Sequence, residues 1–109
     1  MVILDDLFFE AKIRETARLL SVEVIIVKTK EDLERELKTE KIEKIIADLN
    51  FRKFDLFEEL VKIKKSYSLE IVGYLSHVQH DLKKKAEMSC SKVMARSEFS
   101  VKLPELLSI

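Results

Sequence analysis

Glycine, proline and cysteine each occur once in this chain of 109 residues, and tryptophan does not occur. With Gly73 as the only glycine, neither GxGxxG nor GxxxxGK followed by Ser or Thr can be present, which removes the ordinary dinucleotide and P-loop chemistries. Gly73 itself lies inside an apolar run, where a glycine signals close backbone packing. The lone Cys90 cannot form an internal disulfide; with Met88 and Met94 nearby it reads as a small core filler. Charge of either sign is not in excess: 20 basic and 20 acidic residues cancel, so neither nucleic acid nor an anionic membrane is expected as main partner. No signal-like segment and no apolar run of membrane-spanning length is found, and a cytosolic protein is expected. Asn50 and Gln79 are the only side-chain amides, against 37% charged residues, a bias of heat-adapted proteins.

What is present is a strict alternation of two patterns. Val2–Leu4, Val22–Val27, Ile45–Ala47, Ile71–Leu75 and Val93–Ala95 are short, nearly unbroken apolar runs, as strands covered on both faces should be. Between them, helical spacing links Phe9, Ile13, Ala17 and Leu20, then Leu33 and Leu37, then Leu56, Phe57, Leu60 and Val61, then Val78, Leu82 and Ala86. A short fifth helix is expected around Leu103, Leu106 and Leu107, with Pro104 in its first turn. This βα alternation, without linker or repeat, predicts one domain over residues 1–109. Its fold is expected to be α/β and flavodoxin-like: a five-stranded parallel sheet, order 2-1-3-4-5, with helices on both faces.

Such sheets bind ligands at the carboxyl ends of their strands. Asp5 and Asp6 follow the first run and Asp48 the third, so three carboxylates are expected at one edge, a set suited to a hard cation. An Asp after a strand also caps the next helix, which would account for any one of them alone.

The order of residues resembles the receiver domain of bacterial response regulators over nearly the whole chain. The matching positions are Asp5 and Asp6 in LDDLFF, Asp48 in IIADLN, Ser76 in GYLSH and Arg96 in MARSEF. The resemblance implies Asp48 as phosphoacceptor, Mg²⁺ held weakly by Asp5, Asp6, Asp48 and the backbone carbonyl of Asn50, and Ser76 and the strand 5 cation supporting the phosphoryl oxygens. Three departures from the family stand out. Arg96 replaces the usual lysine, Ser97 replaces the usual proline, and Val93 lies near the place of the aromatic switch residue. Arginine is a planar fork rather than a compact ammonium, and its head is expected to lie across the acid pocket against Asp48.

The expected function is therefore a stand-alone receiver-like signalling module, not an enzyme, in which Asp48 phosphorylation is weakened or absent. It would act through contacts with an unidentified protein, a histidine kinase or a downstream effector, around helix 4, strand 5 and helix 5. The alternative is a working phosphoacceptor in a two-component phosphorelay; a small flavodoxin-like ligand binder or enzyme is a third reading. His77 and His80 lack a third ligand nearby for zinc. Phe8 and Phe51, each close behind an acidic residue, are expected to form an apolar rim at the top edge, and the lysines at 62, 64, 65 and 83–85 to be solvated helix faces.

Overall fold

Short apolar runs can bury both faces only if helices return over each side of the sheet, and the chain does this. In the computed structural model, which describes every residue except Glu40, His77 to Gln79 and Ile109 and gives His80 by its backbone alone, five strands alternate with five helices. They are β1 (Val2–Ile3), α1 (Leu7–Leu20), β2 (Ile26–Val27), α2 (Lys30–Leu37), β3 (Lys44–Asp48), α3 (Leu56–Ser66), β4 (Glu70–Leu75), α4 (His80–Glu87), β5 (Lys92–Ala95) and α5 (Arg96–Leu107). All strand pairs are parallel, in the order β2-β1-β3-β4-β5, the α/β arrangement that the alternation predicts.

Successive side chains on a strand face opposite ways, so each apolar run feeds two cores. Val2 and Leu4 of the first run, Ile46 of β3, and Val72 and Tyr74 of β4 join Phe9, Ile13, Phe99 and Leu103 under α1 and α5. Ile3, Ile45, Ala47, Ile71 and Leu75 join Leu33, Leu56, Leu60 and Ala86 under α2, α3 and α4. Gly73 shows the close approach expected of it. A Cβ there would stand 2.7 Å from a methyl carbon of the buried Leu49, so the missing side chain is space that Leu49 fills.

Three expectations need correcting. Strand 2 covers Ile26–Val27 rather than Val22–Val27: it is an edge strand whose one neighbour, β1, offers only Val2 and Ile3 to pair with, and Val22 and Val24 pack as partly buried side chains instead. Helix α5 begins at Arg96, directly after β5, so Pro104 lies inside it rather than in its first turn. Leu20 is 39% exposed, whereas α3 buries Glu59, whose carboxylate meets Lys30 at 3.4 Å and Lys62 at 3.8 Å. Val78, expected on α4, lies outside the described residues. Among those described, no helix is long and apolar enough to cross a membrane.

Candidate functional site

The carboxyl ends of β1, β3, β4 and β5 deliver Asp5 and Asp6, Asp48, Ser76 and Arg96 to one edge of the sheet, as the strand order requires. Each is held by a specific local contact. Asp6 is the N-cap of α1: its Oδ1 accepts the Phe9 N–H at 3.1 Å, and its Oδ2 accepts from Arg96 Nη2 at 2.5 Å. Asp48 accepts the Asn50 N–H at 2.9 Å. Asp5 turns outward to Lys53 at 3.1 Å, a pair exposed enough to add little stability.

Arg96 therefore bridges Asp6, not Asp48 as the sequence suggested. The reason is an aromatic surface that periodicity assigns only to the core. The guanidinium carbon sits 4.4 Å from the centroid of the Phe9 ring, and the ring belongs to the same first turn of α1 that Asp6 caps. A flat cation gains from both partners at once, from the ring face and from the carboxylate. Phe9 is itself backed by Tyr74 and Phe99, which stack at 4.3 Å with an 8° interplanar angle. The Tyr74 hydroxyl is buried without a partner among the described residues, and burial pushes its ionisation well above the ordinary phenol range.

Sequence reasoning also left the Asn50 side chain idle. Its Oδ1 accepts the Ser76 N–H at 2.9 Å, tying the loop after β3 to the loop after β4. Asparagine beside a strand-end Asp was the available signal, since such residues bond neighbouring backbone readily. Phe51, expected on the rim, is buried against Phe54 at 4.7 Å; Phe8 alone of the two stands at the edge, 75% exposed. Cys90 is buried as a core filler, with its thiol pKa raised by that burial. His77 lies outside the described residues.

Internal partners thus engage all three carboxylates, and no set of three or more His, Cys, Asp or Glu among the described residues is arranged to hold a metal. A cation entering here would compete with Lys53 for Asp5 and with Arg96 for Asp6. Burial, then the Asp6 and Asp5 charges, raise the pKa of Asp48 against the lowering pull of the Asn50 amide and Arg96. Its folded pKa lies above its unfolded one, so native Asp48 keeps its proton over a window where the unfolded chain has lost it. Stability should fall as pH rises from the ordinary carboxylate value through that window. Asp48→Asn should remove this slope and melt higher at neutral pH; equal pH dependence of melting in the two chains would refute it.

Comparison with family models and with curated proteins gives no match to this chain.

Proposed function

We propose that this chain is a receiver-like signalling module that works through protein contacts, with its acidic site held shut by Arg96 rather than switched by phosphorylation of Asp48. The observation that carries the reading is the Arg96–Asp6 pair, laid over Phe9, at the place where the receiver pattern has a compact lysine. An arginine engaged in this way is not poised over Asp48, and its carboxylate partner is one of those that would bind the activating cation. Mg²⁺ taken up by Asp5, Asp6, Asp48 and the Asn50 carbonyl has to displace Lys53 and Arg96, which makes its binding weak. The partner, a histidine kinase or a downstream effector, would meet the surface of α4, β5 and α5.

A second reading, a phosphoaccepting receiver in a phosphorelay, is favoured by one observation. Asn50 links the two positions, its backbone N–H donating to the Asp48 carboxylate and its side-chain Oδ1 accepting the Ser76 backbone N–H, so the loops that carry the acceptor and the hydroxyl are tied together. Intact-mass measurement after incubation with acetyl phosphate and Mg²⁺ separates the two. The native chain is expected to remain unmodified; an added phosphoryl group that disappears in Asp48→Asn would establish the second reading and overturn the first.

A further inference from the structure

Lys12 meets no carboxylate among the described residues, and in this it is like several other lysines; what sets it apart is its place, for its ammonium donates to the Ser100 hydroxyl and stands 5.8 Å from the centroid of the Phe9 ring, the ring that also carries Arg96. Two cations therefore share one aromatic ring; Asp6 bonds one of them, Arg96, and the Asp48 charge also lies within its reach. They open on a cleft of about 500 Å³ between α1 and α5, bordered by Phe8, Phe9 and Lys12 on one side and Arg96, Ser97 and Ser100 on the other. No acidic residue is among the described residues that line it, in a chain where 20 of 109 residues are acidic. Phe8, 75% exposed, adds an aromatic surface that the core does not use.

We propose that this cleft is a binding site for a small planar ligand carrying a phosphate or carboxylate group. The anion would sit between Lys12 and Arg96, which spends one of its five N–H donors on Asp6, with the Ser97 and Ser100 hydroxyls completing its hydrogen bonds. The planar body would lie against Phe8. The volume falls in the range of small-molecule sites, and an aromatic wall with a few convergent polar groups is their usual make-up. The site shares Arg96 with the bridge argued above, and Ser76 also lines it, but it does not include Asp48.

Phenyl phosphate is a minimal probe, with inorganic phosphate and benzyl alcohol standing for its two halves. In amide-resolved NMR titrations, phenyl phosphate is expected to give saturable shifts at Phe8, Lys12, Ser97 and Ser100. Inorganic phosphate should move the same amides at higher concentration, and benzyl alcohol should fail to saturate them. Lys12→Gln should weaken both phosphates roughly tenfold, the scale of one charge-assisted hydrogen bond. Phe8→Ser should bring phenyl phosphate down to the level of inorganic phosphate. Both side chains are exposed, so the variants should keep the native spectrum elsewhere. Shifts no larger than those from sodium chloride, saturation centred away from these residues, or affinity unchanged in Lys12→Gln would each overturn the proposal. The Asp48 mass measurement is independent of all these outcomes, so failure here leaves the signalling reading in place.

Discussion

An Arg96→Lys chain incubated with acetyl phosphate and Mg²⁺ is expected to gain one phosphoryl mass that the native chain does not. The substitution keeps the positive charge and removes what holds it aside. Lysine has no flat face to lay over Phe9, and its compact, strongly hydrated head loses the combined hold of ring and Asp6 that the guanidinium enjoys. Asp6 is then released to act with Asp48. The change should run from no detectable adduct to a major species, and Asp48→Asn in the Arg96→Lys background should abolish it. Equal labelling of native and Arg96→Lys chains would show that arginine does not close the site, and absence of label from both would place the block elsewhere than Arg96.

The largest loss of stability is expected from Phe99→Ala. Phe99 is fully buried, stacked on Tyr74 and tilted against Phe9, so its removal opens a cavity under the platform that carries Arg96. Large-to-small changes of this kind cost about 3–5 kcal/mol. Against a total of about 5–15 kcal/mol for a domain, that is enough to bring the chain near its unfolding limit. Urea unfolding should show a midpoint shifted far down with little change in slope. Tyr74→Phe is the contrast: it keeps the stack and deletes a hydroxyl without a partner among the described residues, and is expected to be neutral or to stabilise by about 1 kcal/mol. A Tyr74→Phe loss as large as that of Phe99→Ala would mean that the hydroxyl, not the ring, is what matters there.

The alternation of strands and helices was legible because doubly covered strands leave unbroken apolar runs that nothing else in so polar a chain produces. The length of β2 was not, since an edge strand is as long as its neighbour permits and that neighbour is remote in sequence. The start of α5 was hidden for a different reason: its N-cap is Ala95, which supplies no side-chain oxygen, so no capping residue marks the boundary and Pro104 invited a later start. At the site, acids closing strands were visible as a pattern. The partner of Arg96 was not, because a long side chain chooses among carboxylates by what lies along its path, and the Phe9 ring on that path is set by helix packing rather than by spacing to Arg96.

The sheet also acts as a partition. Side chains beneath α1 and α5 form one cluster and those beneath α2, α3 and α4 another, so well-separated changes on opposite faces share only backbone and should combine additively. Arg96, Asp6 and the aromatic rings that support them all belong to the α1 and α5 side. The Arg96–Asp6 bridge is thus held by one half of the molecule, and drift in the other half can wear down overall stability while leaving the guanidinium on its ring.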